Sequence, residues 1–186
     1  MFSSFKKVCA VVVVSLFLLQ GGALASSNWS RTQEGFKVWV GFYHAAETAT
    51  ASTWSGAVDA DGYASGKGVL KFFEGKEVTL IYEGILLKGK ATGKGSYRDS
   101  FGCGYEGDFV DGKRHGKGVV KLSGGKRYYE GDFVDGLFNG KGVVYNFDGS
   151  IYKGDFVGGK EHGKGILTLP DGTRYEGLFK DGAFIG

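Results

Sequence analysis

Histidine side chains can bind a metal ion, and this sequence has three of them. His115 and His162 occupy equivalent places in a repeated phrase, whereas His44 lies outside it. Two repeats separate the first two by about four strands, roughly 19 Å at the usual strand spacing. Metal ligands lie near 2 Å from their ion. We therefore predict no metal site and interpret these histidines as loop residues of the repeat.

Paired carboxylates recur as well, as Glu106/Asp108 and Glu130/Asp132, with Asp155 alone in the next copy. Two acidic groups can hydrolyse a glycosidic bond. A catalytic pair occurs once in a pocket, whereas these recur along the chain, which favours a solvated face with lysines as cross-strand partners. The sequence therefore predicts no catalytic residues and no cofactor. A carbohydrate-active enzyme is kept as an alternative, with the insertion at 72–80 as its candidate pocket.

Cations precede the second strand of each copy and are candidates for contact with an anionic lipid or envelope polymer. In stacked hairpins they would lie along one edge of the sheet, about 10 Å apart. Acidic residues in the same loops weaken the positive electrostatic field of these cations. The alternative is that the lysines only protect strand ends and turns. The candidate residues are Lys90, Lys94, Lys113, Arg114, Lys117, Lys160 and Lys164.

The elements that must position these side chains follow from a repeat. Tyr105, Tyr129, Tyr152 and Tyr175 begin copies of one phrase and lie 24, 23 and 23 residues apart. A fixed period of this length indicates a repeat architecture. In the first copy, YEGDFVDG is a strand with an aromatic and an acidic face, Asp-Gly is a turn, and a returning strand follows. Each period is therefore predicted to be an antiparallel β-hairpin.

The array is predicted to span 54–186, with two degenerate units beginning at Trp54 and Tyr82, three regular units and a C-terminal half-unit. A positive φ is expected at Gly116 or Gly118, where the second strand re-enters. The residues that define the repeat are Tyr82, Gly84, Tyr105, Gly107, Phe109, Gly116, Gly118, Tyr129, Gly131, Phe133, Gly140, Gly142, Tyr152, Gly154, Phe156, Gly163, Gly165, Tyr175, Gly177 and Phe179.

The phrase YxGxxxxGxxxGxG at this spacing closely resembles the MORN repeat, over residues 54–186. The match is weaker in the first two units, where Trp54 replaces the tyrosine. The resemblance implies an all-β fold, an elongated, twisted single-layer antiparallel sheet of tandem hairpins. It also implies a scaffold, a protein-binding surface or a phospholipid binder rather than a catalyst.

The first 25 residues have the features of a secretory signal peptide. Lys6 and Lys7 precede a twelve-residue apolar run, and Ala23-Leu24-Ala25 predicts cleavage after Ala25. An uncleaved anchor is the alternative, although a spanning helix needs about 20 apolar residues. We expect an exported protein, periplasmic or secreted. Its remaining cysteine, Cys103, is expected to pack as a buried thiol or to form an intermolecular disulfide.

Residues 26–53 do not follow the phrase, and 36–43 is predicted to be a strand that caps the array. The alternative is that Trp39 and Tyr43 belong to a ligand surface.

The formal net charge of +3 falls to +1 without Lys6 and Lys7, which excludes a generic nucleic-acid binder. We therefore expect an exported, non-enzymatic scaffold. Its partner is expected to be a protein, bound on the aromatic face or at the sheet edge. Self-association through the open sheet end is expected as well.

Overall fold

The structure is a computed structural model that describes residues 29–39 and 49–186. Fifteen strands and one short 3-10 turn, Ser123–Gly125, make up the regular structure of this part. The strands are β1 Trp29–Arg31, β2 Lys37–Trp39, β3 Ala51–Trp54, β4 Ala57–Val58, β5 Ala64–Glu74, β6 Glu77–Leu87, β7 Lys90–Asp99, β8 Gly104–Val110, β9 Lys113–Lys121, β10 Arg127–Val134, β11 Leu137–Tyr145, β12 Ile151–Val157, β13 Lys160–Thr168, β14 Arg174–Lys180 and β15 Ala183–Phe184.

Thirteen of these strands form one open sheet in which β5 to β15 are neighbours in chain order. Every pairing within the sheet is antiparallel, as the alternation of short strands and Gly-rich turns predicts. Two strands from each unit join the sheet, so the predicted hairpin per period is confirmed. The all-β prediction is confirmed with it.

A β-bulge interrupts four units just after the central glycine of the first strand. Gly107 on the first strand is paired with Gly118, but the next residue, Asp108, is paired with His115, so the second strand has the extra residues. Equivalent register shifts follow Gly84, Gly131 and Gly154. Bulges bend strands, and here the end of each hairpin, which we call its tip, lies over the aromatic face. Gly116 has a φ of 56°, so the predicted positive φ lies there and not at Gly118.

The core is a run of aromatic rings between the sheet and the tips. Tyr105 makes edge-to-face contacts with Phe109 of its own strand and Phe133 of the next unit, both at 5.1 Å between ring centroids. The same contact links Tyr129 with Phe156 at 5.3 Å and Tyr152 with Phe179 at 4.8 Å. Edge-to-face pairs are favourable beyond the area they bury. Because these rings are buried, the expectation that the aromatic face is open to a partner is wrong.

Backbone hydrogen bonds also join each tip to the unit before it. The turn glycine of one hairpin donates its N–H to a backbone carbonyl of the preceding hairpin. That carbonyl belongs to the first or second residue of the second strand. These bonds join Gly89 to Ala64, Gly112 to Ala91, Gly136 to Arg114, Gly159 to Phe138 and Gly182 to Glu161, at 2.8–3.0 Å. Neighbouring units are therefore fastened twice, through the sheet and through the tips.

The N-terminal segment pairs β1 with β2 and runs along the first tips. Trp39 donates its N–H to the Gly89 carbonyl at 2.9 Å, and its ring lies against Gly112. Its role as a cap stays a prediction. The predicted signal peptide, the cleavage after Ala25 and residues 40–48 lie outside the described residues.

The first degenerate unit uses a tryptophan in the place of the tyrosine. The Trp54 ring lies over Gly56 and Gly68, and its Nε1 donates to the Ala57 carbonyl at 2.9 Å. The insertion at 72–80 lengthens β5 and β6 to 11 residues each. It extends a hairpin, so the candidate pocket for a carbohydrate-active enzyme is not formed there.

Cys103 is buried and is not a free thiol, so the expectation of a packed thiol is right about burial only.

The last unit of the array is more exposed than the others. Its tyrosine, Tyr175, is 41% exposed, and self-association through this end of the sheet stays a prediction. Within the part of the chain that the structure describes, no helix is long and apolar enough to cross a membrane.

Candidate functional site

A groove of about 1630 Å³ crosses the open face of the sheet, on the side opposite the aromatic core. It runs from Lys67 on β5 to Leu178 on β14. Its floor is a row of glycines that face one another on successive strands, for example Gly118 with Gly131 and Gly142 with Gly154. Charged and aliphatic side chains line both sides of this row. The groove is therefore a continuous feature of the array.

The glycines are required because a tyrosine ring lies across each pair on the core side. A Cβ on Gly131 would come within 2.5 Å of the Lys141 carbonyl oxygen, 2.6 Å of the Gly142 Cα and 2.6 Å of the Tyr129 hydroxyl. Tyr129 then donates its hydroxyl to the Asp132 carbonyl, at the bulge. The equivalent bonds of Tyr82, Tyr105, Tyr129 and Tyr152 measure 2.8–3.0 Å. The ring stabilises the bulge, and the absence of glycine side chains leaves room for the ring against the strand pair.

Burial of these tyrosines also alters their acidity. Desolvation raises the pKa of Tyr152 to about 12, and it raises the pKa of Tyr82, Tyr105 and Tyr129 as well. The hydroxyls stay protonated at neutral pH and donate their hydrogen bonds. They are structural donors of the core and do not face the groove.

An aspartate holds one wall of the groove in each regular unit. Asp132 accepts the backbone N–H of Lys141 at 3.0 Å and forms an ion pair of 2.6 Å with Lys117. Gly140, with a φ of 74°, lets the bulge close around the carboxylate. Asp108 and Asp155 repeat this arrangement, with ion pairs to Lys94 at 2.8 Å and Lys141 at 2.5 Å. The aspartates thus hold the lysines that line this wall.

These contacts favour the charged form of each aspartate. Hydrogen bonds from the Lys94 and Lys141 ammonium groups hold the pKa of Asp108 and of Asp155 below their usual range. At Asp132 partial burial acts in the opposite direction, but hydrogen bonds from Lys117 and Lys141 outweigh it and lower the pKa. The predicted pairing of the acidic face with cross-strand lysines is present in the structure.

Replacing Asp132 by asparagine is expected to lower the free energy of unfolding by about 1 kcal/mol at pH 7, because the ion pair with Lys117 is lost. A lowered folded-state pKa adds stability above the unfolded value, near 4, which is lost as the pH falls through the folded value. Urea unfolding from pH 2 to pH 7 should therefore show a smaller acid loss for Asp132→Asn than for wild type.

Glu106→Gln is the matched control, because Glu106 forms an ion pair of 3.0 Å with Lys121 but its side chain is 67% exposed, against 30% for Asp132. This change is expected to cost less than about 0.5 kcal/mol. Equal losses for the two variants would contradict a special role of the bulge aspartate.

The structure places the seven predicted cations in three different environments and not along one edge. Lys94, Lys117 and Lys164 line the groove. Lys90, Lys113 and Lys160 lie at the first position after the tip turns. The bulges separate the two sets, because Lys94, Lys117 and Lys164 follow the bulge whereas the tip lysines precede it. The single row of cations predicted from strand spacing is therefore wrong.

Arg114 points into the layer beneath the tips. Its guanidinium lies 5.9 Å from the centroid of the Tyr105 ring and 5.3 Å from that of Phe133, and it donates to the Gly136 carbonyl at 2.6 Å. Cation–π contacts and a backbone acceptor make it a structural residue. Ala91, Phe138 and Glu161 occupy the same position in other units. Burial raises the pKa of Glu161 there.

The histidines also have structural places. The carbonyls of His115 and His162 accept hydrogen bonds from Tyr105 at 3.5 Å and Tyr152 at 3.3 Å. Among the described residues, no cluster of three or more histidine, cysteine or acidic side chains has the geometry to hold a metal ion.

Three lysines that line the groove are absent from the seven candidate residues. They are Lys67, Lys153 and Lys141, the last of which is recognisable from the sequence as the single cation of its unit. Lys67 and Lys141 occupy the same place in the phrase as Lys94, Lys117 and Lys164, and that alignment was the signal that could have found them. Lys153 stands where other units have glutamate, and it was visible as a departure from the phrase.

Comparison with known families gives one result for this chain. The MORN repeat model matches residues 82–100, 105–127, 129–151 and 152–174. The matches begin at the tyrosines whose rings cross the glycine floor. Comparison with curated proteins finds no match. Four tandem matches on a sheet of tandem hairpins establish that the chain belongs to the MORN-repeat family.

Proposed function

We propose that the protein is an exported, non-enzymatic scaffold that binds an extended segment of a protein partner in its groove. The observation that supports this is the uniformity of the groove. The same lysine, aspartate and glycine positions recur on successive units, and the floor is continuous from β5 to β14. A catalytic centre is a single set of unlike groups, whereas a uniform groove suits a ligand that extends along it. Export rests on the signal-peptide features of residues 1–25.

Site-specific photo-crosslinking in the exporting cell tests this proposal. A photoreactive phenylalanine replaces Val119 or Val143, which line the groove, in the full chain. We expect a discrete protein adduct from both positions, at least about tenfold stronger than from Val110. Val110 is the matched control, because it is an exposed valine at a tip. Adducts that are as strong from Val110, or absent from both groove positions, would refute groove binding.

A second candidate, binding of an anionic lipid surface or envelope polymer, is favoured by the tips. Leu87, Val110, Val134 and Val157 are exposed there in equivalent positions. Three of them are paired across the hairpin with Lys90, Lys113 and Lys160. Exposed aliphatic groups beside cations suit a membrane interface. Two of these lysines are ion-paired, with Asp111 at 2.7 Å and Asp135 at 3.9 Å, which weakens the field.

Sedimentation with vesicles of phosphatidylglycerol and phosphatidylcholine tests the second candidate. Binding should fall in 0.5 M salt, where the screening length is about 4 Å, and in the triple alanine variant of Lys90, Lys113 and Lys160. Binding that changes in neither case would rule out this candidate without affecting the groove proposal.

A further inference from the structure

The groove changes its charge at β12. The residue after the tyrosine of each unit lines the groove, and it is Glu83, Glu106, Glu130 and Glu176 in four units. In the remaining unit that begins with a tyrosine the same position is Lys153, and the unit that begins at Trp54 has Ser55 there. The substitution reverses the charge of one wall at a single place, so the groove is not electrically uniform along its length.

Lys153 also lacks the neutralising partner that several of the other groove charges have. Glu106 pairs with Lys121 at 3.0 Å and Glu130 with Arg127 at 2.6 Å. Lys153 instead lies in register with Val143 on one side and Ile166 on the other. Within residues 29–39 and 49–186, no carboxylate lies within ion-pair distance of its ammonium group.

The opposite wall has an unpaired lysine at the same level. Lys94, Lys117 and Lys141 each form an ion pair with an aspartate of the next strand. Lys164 faces Leu178, because the last unit has leucine where the regular units have aspartate. Among the described side chains its ammonium group has no ion pair either, and it is exposed.

Lys153 and Lys164 flank one pair of floor glycines, Gly154 and Gly165. They occupy diagonal positions on adjacent antiparallel strands, whose residues lie about 7–8 Å apart. Two flexible ammonium groups at this separation can both reach one carboxylate. Ile166 and Leu178 provide an aliphatic surface beside them. The surroundings therefore combine two uncompensated cations with apolar contact area.

We propose that this end of the groove is a subsite for an acidic segment of the partner protein, which rests on the proposed groove function. A glutamate or aspartate side chain of an extended segment lies between Lys153 and Lys164. Its aliphatic neighbours pack on Ile166 and Leu178. Charge complementarity specifies the occupant, because an acidic side chain supplies the counter-charge that the chain itself omits at these two lysines.

A labelled peptide tests the subsite with the full chain. The probe is a short fluorescein-labelled peptide of alternating glutamate and leucine, and its counterpart has glutamine for every glutamate. Fluorescence anisotropy should show binding of the acidic probe that weakens about tenfold or more in Lys153→Glu, which restores the residue type of the other units. Lys164→Gln should weaken it as well, and the glutamine peptide should bind wild type more weakly.

Lys71→Glu is the matched control. Lys71 is an exposed lysine of β5 that does not line the groove, is paired with Ile81, and lies seven strands away from Lys153 on β12. This variant should bind the acidic probe as wild type does, and circular dichroism should show that all variants are folded. Absence of probe binding to wild type, equal weakening by Lys71→Glu, or equal binding of the glutamine peptide would overturn the subsite.

Two further outcomes separate this proposal from others. Phosphatidylglycerol vesicles that bind through Lys153 while the peptide does not would identify a lipid headgroup as the ligand and overturn the proposal. Groove crosslinks at Val119 and Val143 that persist at wild-type level in Lys153→Glu, together with unchanged probe affinity, would overturn the subsite alone. In that case the groove proposal would remain, whereas loss of all groove crosslinks in wild type would remove both.

Discussion

Gly131→Ala is expected to lower the free energy of unfolding by about 3 kcal/mol or more, at the upper end of the cost of overpacking. The added Cβ would meet a backbone carbonyl, a backbone Cα and the Tyr129 hydroxyl, all within 2.6 Å. Two of these atoms belong to the neighbouring strand, which is held by its own ladder and cannot turn aside as a flexible side chain would. The strand, the ring or both must move.

Gly136→Ala isolates the conformational part of such a substitution. Gly136 is a turn glycine with a φ of 88°, and nothing lies within 4 Å of the Cβ position. This variant should cost about 1–2 kcal/mol, the penalty for a left-handed residue with a side chain. Urea unfolding followed by circular dichroism measures both. If Gly131→Ala cost no more than Gly136→Ala, the close approach at the floor would not be a determinant of stability.

Tyr129→Ala is expected to cost about 3–5 kcal/mol, as for other large aromatic residues removed from a core. Tyr129 is fully buried, stacks on Phe138 at 3.7 Å and makes edge contacts with Phe133 and Phe156. Truncation removes contacts within its own unit and with the following unit at once. Tyr129→Phe keeps the ring and removes only the hydrogen bond to Asp132, so it should cost about 1 kcal/mol.

The equivalent residue of the last unit provides the control. Tyr175 is 41% exposed and contacts Phe184, and no ring contact with a following unit is present among the described residues. Tyr175→Ala should therefore cost well under half as much as Tyr129→Ala. Equal costs, measured by urea unfolding, would show that contacts between units contribute little and that each hairpin is stable by itself.

The period and residue types of the phrase were enough to predict the fold. Tyrosine, glycine and phenylalanine at alternate positions can share a face only in a strand, and Asp-Gly marks its turn. The role of the central glycines also followed, because a ring next to a glycine on one face suggests a ring across the backbone. Tyr105 with Gly107 is such a case, and the hydroxyl lies 2.4 Å from the Cβ position of that glycine.

The arrangement of the cations could not be predicted in the same way. Strand spacing places Lys113 and Lys117 on one edge, but the bulge at Gly116 separates them into the tip and the groove. A bulge depends on which residues pair across strands, and periodicity does not encode that pairing. Arg114 illustrates the point, because its position is polar in the sequence but lies against aromatic rings once the tip folds over.

The tip-to-tip hydrogen bonds have a consequence for how such an array grows. Each turn glycine finds its acceptor in the hairpin immediately before it and in no other, from Gly89 to Gly182. A hairpin duplicated with the same repeat boundaries would donate its turn N–H to the same carbonyl of the preceding hairpin. It would offer its own equivalent carbonyl to the following hairpin. Gene duplication can therefore lengthen the groove in steps of about 10 Å, two strand spacings, without redesign of any interface.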